Sequence, residues 1–213
     1  MVHHPLTDSE WEAAWAPYDE ATYGAALAFL QPDDVVLDIG AGDLRFARRA
    51  AARVRRVFAI ERNAALPPSL PQSSALREGT LVVIHGNALA VAFPPDVTVG
   101  VLLMRHCRHF ADYVARLRAA GCRRLITNAR WGMDVECLSL EPQLRYESAG
   151  PGWYACLCGQ VGFKPGPPAS VTPHALNQVQ AVEGCPACRP LSSARCERGS
   201  SWSDSSSSRT APN

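Results

Sequence analysis

The spacing of apolar residues changes period several times along this chain. Val35-Val36-Leu37-Asp38-Ile39 is a short, nearly continuous apolar run, the pattern of a strand buried on both faces. From Leu44 to about Val54 the period becomes helical. Phe46, Ala47, Ala50, Ala51 and Val54 share one face, while Arg45, Arg48, Arg49, Arg53 and Arg56 lie largely opposite. A second strand follows at Val57 to Ile60, a third at Thr80 to His85, a fourth at Val97 to Met104 and a fifth at Arg124 to Asn128. His106 to Ala120 reads as a helix with Phe110, Tyr113, Val114 and Leu117 inward and Gly121 as its stop. Buried strands alternating with helices predict an α/β fold built on a doubly wound, mostly parallel sheet. Ligands of such sheets sit beyond the carboxyl ends of the strands.

The flanks read differently. Thr7 and Glu10 fit a capping box, and Trp11, Ala14, Trp15 and Tyr18 follow at helical spacing. A second helix is expected from about Asp19 to Leu30, with Tyr23, Ala26, Leu27 and Leu30 on one face. Pro67, Pro68 and Pro71 leave any helix between Asn63 and Gly79 short or broken. Beyond Trp131 the alternation stops. Val135–Leu140, Leu144–Glu147, Trp153–Leu157 and Gln160–Lys164 read as β segments, expected at an antiparallel sheet edge. Residues 189–213 hold nine serines and few apolar side chains, a composition expected to be disordered. The expected organisation is an N-terminal helical segment over 1–34, a core over 35–150, a β hairpin carrying two cysteine pairs over 151–188, and the Ser-rich tail.

The turn between the first strand and its helix holds the most informative residues. Gly40 and Gly42 allow positive φ and let backbone approach a ligand closely. Asp38 lies two residues before Gly40, and Glu61 closes the second strand 19 residues after Gly42. An acid at that place can accept hydrogen bonds from both hydroxyls of a ribose.

Through "VVLDIGAGDLRFARRAA" and "VFAIERN" the chain resembles the cofactor half of class I S-adenosylmethionine (SAM)-dependent methyltransferases over roughly residues 18 to 130. Asp38, Gly40 and Gly42 match the family's first motif, with Leu44 standing where a third glycine is usual. Glu61 matches the acid after the second strand. Gly86, Asn87 and Ala88 approximate the Gly-Asp-Ala motif after the third, with Asn87 in place of Asp. The resemblance implies a seven-stranded-type sheet with an antiparallel C-terminal edge, and SAM as cofactor. It implies that Asp38, Gly40 and Gly42 shape the methionine and ribose pocket, Glu61 holds the ribose, and Asn87 and Ala88 flank the adenine. An aromatic ahead of the first motif, Tyr18 or Tyr23, lines the methionine end or else packs in the core.

The methyl acceptor is not named by any motif. Nucleic-acid amino-methyltransferases often carry Asn/Asp-Pro-Pro-Tyr after the fourth strand, where this chain reads Leu103-Met104-Arg105-His106-Cys107. Arg105 and His106 are the polar residues expected beside the reacting centre. His106 can take a proton from a hydroxyl or amine acceptor, and Arg105 can anchor an anionic group by a bidentate contact. Each has a structural alternative, His106 at a helix start and Arg105 as partner of a carboxylate. Two other functions fit parts of the pattern. A nicotinamide-dependent oxidoreductase would need glycine at the sixth position of its fingerprint, where Arg45 stands. A non-catalytic binding protein would keep the fold and present the cysteine segment to a partner.

Cys156-Leu157-Cys158 and Cys185-Pro186-Ala187-Cys188 are the two cysteine pairs. Two thiolate pairs brought together by a hairpin make a tetrahedral four-cysteine zinc site, with His174 or Cys196 as substitute ligands. The alternative is four unlinked cysteines packing as small hydrophobes. The net charge of +1 does not point to nucleic acid, and no apolar run is long enough to span a bilayer. The start Met1-Val2-His3-His4-Pro5 does not read as a secretory signal, so the expectation is a cytoplasmic enzyme with reduced thiols.

Overall fold

The computed structural model describes residues 20–63, 79–130, 132 and 134–188. Tyr18, the capping box at Thr7, the proline segment 64–78, Cys196 and the Ser-rich tail lie outside the described residues. The main sheet holds β1 (Val35–Ile39), β2 (Arg56–Glu61), β3 (Leu81–His85), β4 (Val99–Leu102), β5 (Arg124–Thr127) and β6 (Glu136–Ser139). Its order is β3-β2-β1-β4-β5-β6. The first five strands are parallel, and β6 runs antiparallel beside β5, pairing Ile126 with Cys137.

Strand residues alternate between two cores, as a period of two requires. Val36, Val57, Val99, Val101 and Ile126 face α1 (Glu20–Ala28) and α2 (Arg45–Ala51). Leu37, Ile60, Leu102 and Leu125 face α3 (Phe110–Ala119). The helices fall on opposite faces because the chain winds outward from β1 in both directions with right-handed crossovers. The order reverses between β1 and β4, the place where open α/β sheets bind ligands at the carboxyl ends of their strands.

One buried carboxylate ties the amino ends of three strands. Asp34 is 3% exposed and precedes β1. It accepts two bonds from the Arg124 guanidinium at 2.6 and 2.8 Å, one from the Thr98 hydroxyl at 2.9 Å and one from the Gln31 amide at 2.7 Å. Arg124 opens β5 and Thr98 precedes β4, so one ion pair sets the relative start of all three.

Two expectations are corrected here. The helix read from His106 begins at Phe110, because His106 adopts φ +59 and cannot continue a right-handed helix. The late β segments do not extend the main sheet, which has six strands. Only β6 joins it. Β7 (Leu144–Arg145), β8 (Gly152–Cys156), β9 (Val161–Lys164) and β10 (Val179–Glu183) form a second sheet, ordered β7-β10-β8-β9. Β10 follows a short helix, α4 (Pro173–Asn177), and inserts in parallel between β7 and β8.

Removing Asp34 leaves Arg124 facing its former partner site without a counter-charge. Asp34→Ala should lower the unfolding free energy by about 3 kcal/mol. Urea unfolding of wild type and variant, followed by far-UV circular dichroism, checks this; a loss below about 0.5 kcal/mol would mean that the ion pair does not anchor the sheet.

Candidate functional site

The parallel arrangement brings Asp38, Gly40, Gly42, Glu61, Asn87, Ala88, Arg105 and His106 to the carboxyl ends of β1 to β4. The turn after β1 is stitched to β2 by backbone donors. Gly40 and Ala41 both donate to the Ile60 carbonyl, at 2.9 and 3.0 Å. Gly42 then donates to Glu61 Oε2 at 2.7 Å, and the Asn63 amide donates to Oε1 at 2.7 Å. Both oxygens of a buried carboxylate are thus oriented by main chain. Gly40 and Gly42 have φ of +73 and +53, and Leu44 completes the turn at φ +62. A non-glycine residue pays for that conformation with strain, which burial of the Leu44 side chain in the α1–α2 core offsets.

Gly40 is needed for space as well. A Cβ there would lie 2.9 Å from the Met104 Cε, so the turn after β1 touches the loop after β4. Arg105 and His106 follow Met104 directly and are both exposed.

Asp38 is 4% exposed, and its Oδ2 has no hydrogen-bond partner. Burial raises its pKa to about 7, with the nearby Glu61 charge pushing the same way. A buried carboxylate with an unpaired oxygen at the carboxyl end of a parallel strand makes Asp38 a candidate partner for a cation or hydrogen-bond donor. Asn87 uses its side-chain oxygen locally, accepting from the Leu89 amide at 2.9 Å, and keeps a second lone pair and its amide group. Ala88 is buried against the α3 core. Tyr23 is buried against Phe46 and the Arg49 guanidinium, within the α1–α2 core.

Sequence reasoning did not single out Asn128. It ends the apolar run of β5, is 3% exposed, and neither its amide oxygen nor its nitrogen has a partner. The only signal was a polar residue directly after a buried strand. Next to it, Arg130 is buried in a bidentate pair with Glu136 that ties β5 to β6.

The two cysteine pairs meet in the second sheet. All four Sγ atoms of Cys156, Cys158, Cys185 and Cys188 lie within 4.8 Å of one another. Cys156 and Cys188 are 3.6 Å apart, as are Cys158 and Cys185. Each pair sits on a tight turn, with Gly159 N donating to the Cys156 carbonyl at 2.9 Å and Cys188 N to the Cys185 carbonyl at 2.8 Å. The hydrogen bond from Cys158 holds the Cys156 thiol down, at about 4. His174 lies outside this cluster.

No family model matches this chain. A curated relative, the probable ribosomal RNA small subunit methyltransferase A of Methanosarcina barkeri, is 42% identical over 69 residues, 32% of this chain. The chain covers only 24% of that relative's length. Among solved structures, the precorrin 8w decarboxylase of Methanobacterium thermoautotrophicum aligns over 53% of this chain and 63% of its own, with 24% identity and a TM-score of 0.42. A 1,6-didemethyltoxoflavin N1-methyltransferase of Burkholderia thailandensis, solved with S-adenosylhomocysteine, aligns over 59% of this chain and 66% of its own, with 22% identity and a TM-score of 0.43.

The raised Asp38 pKa has a direct consequence for stability. Between the unfolded value near 3.8 and the folded value of about 7, the folded state binds the extra proton. Stability therefore falls as pH rises through that window. Asp38→Asn should raise the unfolding free energy at about pH 8 by on the order of 1–4 kcal/mol, with the gain vanishing toward about pH 4. Thermal melts across pH test it, and an equal gain at every pH would remove the ionised carboxylate as the cause.

Proposed function

We propose that this chain is a SAM-dependent methyltransferase. The observation that carries the reading is the pairing of two buried carboxylates at the ends of adjacent strands. Glu61 is held by main-chain amides beside the glycine turn, and Asp38 keeps one oxygen unpaired. In this reading Glu61 receives the ribose hydroxyls, and Asp38 meets the methionine ammonium, directly or through water. Gly40 and Gly42 leave room for the cofactor backbone, while Asn87 and Ala88 border the adenine. The 69-residue similarity to a methyltransferase supports the same assignment.

The sheet also argues against the nicotinamide alternative. That fold repeats its βαβαβ unit after β3, continuing in parallel to a sixth strand. Here the chain turns back after β5, and β6 is antiparallel.

Bound SAM supplies a methyl group made electrophilic by its sulfonium. What the protein must add is an in-line acceptor, held close and shielded from water. The loop after β4 lies against the β1 turn, through the Gly40–Met104 contact. Within it His106 accepts the acceptor's proton and Arg105 anchors an anionic part of the acceptor. Asn128, at the end of neighbouring β5, offers a buried amide for further orientation.

Titration calorimetry tests the cofactor. SAM and S-adenosylhomocysteine should bind in the micromolar range, roughly −8 kcal/mol, and Glu61→Ala should lose about 1.5–3 kcal/mol. Affinity for SAM should rise as pH passes upward through about 7, because the ammonium pairs with ionised Asp38. Asp38→Asn should flatten that profile. Tight NAD binding without SAM binding would transfer the assignment to an oxidoreductase. With an acceptor found, His106→Ala should lower kcat about 10²–10⁴-fold at unchanged SAM affinity; wild-type turnover would leave positioning alone as the mechanism.

A further inference from the structure

The second sheet has a small apolar core of its own. Its separate core has five buried members, Ala149, Tyr154, Cys156, Val182 and Cys185, and two of these are cysteines. So small an apolar cluster ordinarily needs a covalent or metal staple. The four sulfurs supply one. Tetrahedral Zn–S bonds of about 2.3 Å place neighbouring sulfurs about 3.8 Å apart. The contacts here are 3.6, 3.6 and 3.9 Å, well beyond the roughly 2 Å of a disulfide.

The cysteine turns also grip α3 at both ends. At its start, the missing Cβ of Gly159 faces the Phe110 ring at 3.0 Å, and Leu157 is buried in the same core as Phe110 and Tyr113. Farther along, Arg118 donates to Glu183, two residues before Cys185, at 3.4 Å. Phe110 is the first residue of α3, and in the turn before it His106 sits at φ +59 and Phe110 N reaches the Cys107 carbonyl.

We propose that Cys156, Cys158, Cys185 and Cys188 bind one structural Zn²⁺, and that the metal knuckle, by clamping Phe110, orders the 103–110 loop that follows β4. The metal site and the clamp stand independently of methyl transfer; only the loop's role beside the reacting centre rests on the proposed function.

Protein purified without chelator should contain one zinc per chain by plasma mass spectrometry. Cobalt exchange should give the strong thiolate charge-transfer band of a four-sulfur site, and Cys185→Ser should weaken it. A metal-free protein whose four thiols react freely with Ellman's reagent, or iron in place of zinc, would overturn the metal assignment. The clamp is read by hydrogen exchange on the full chain. Stripping zinc should speed exchange about tenfold in 103–110 as well as in the knuckle, with β2 unchanged. Phe110→Leu, which withdraws the ring from Gly159 and leaves the cysteine turns untouched, should loosen 103–110 while keeping one zinc. Unchanged exchange in 103–110 under both treatments would sink the clamp even with zinc present.

Discussion

Everything at the carboxyl edge depends on how the end of β2 is fastened to the turn after β1. The Ile60 carbonyl takes two donors from that turn, and Glu61 takes a third. Together they fix the turn's backbone in a region that only its glycines enter cheaply. The Glu61 carboxylate is itself immobilised by the bonds it accepts. The Gly42 bond therefore helps to build the loop and, with the Asn63 amide, aims the acid that the loop borders. Neighbouring Asp38 is buried without that help, which is why its charge is costly.

Much of this was legible in the chain. The change from continuous apolar runs to a period of 3.6 marked β1, α2 and β2, because strands buried on both faces and helices buried on one leave distinct patterns. The parallel order then follows from crossover handedness, and with it the gathering of residues 38 to 106 at one edge. Asn128 escaped notice because an unpaired buried amide has no sequence signature. It is defined by the partners it lacks, which only packing reveals. The start of α3 was misplaced for a related reason. His106 is among the non-glycine residues that enter positive φ more readily than most, and the apolar spacing that marks the helix does not show where it does so.

The second sheet was read as a run of edge strands because each segment looks alike locally. What decides its arrangement is a long-range choice, the parallel insertion of β10 between β7 and β8. No short-range pattern encodes that. The polar pins are also long-range: Lys164 donates to three carbonyls, those of Tyr146, Glu147 and Ala149, and Arg118 reaches Glu183 from the main domain's helix. The main sheet has large apolar cores on both faces; the second relies on such contacts and on sulfur.

The position of β10 also sets an order of events during synthesis. The main sheet has all its strands once residue 139 has been made. In the second sheet, the β8–β9 hairpin can pair as soon as it emerges, but β7 has only β10 as neighbour. It must wait, unpaired, until residue 183 arrives, and the second cysteine pair comes later still. The main sheet can thus be complete before the second, whose last pairing waits for the return of β10. That last step brings Val182 back to Leu144, a shorter closure than the one from Val36 to Val99 in the main sheet, so what delays it is the order of synthesis and not the length of the loop.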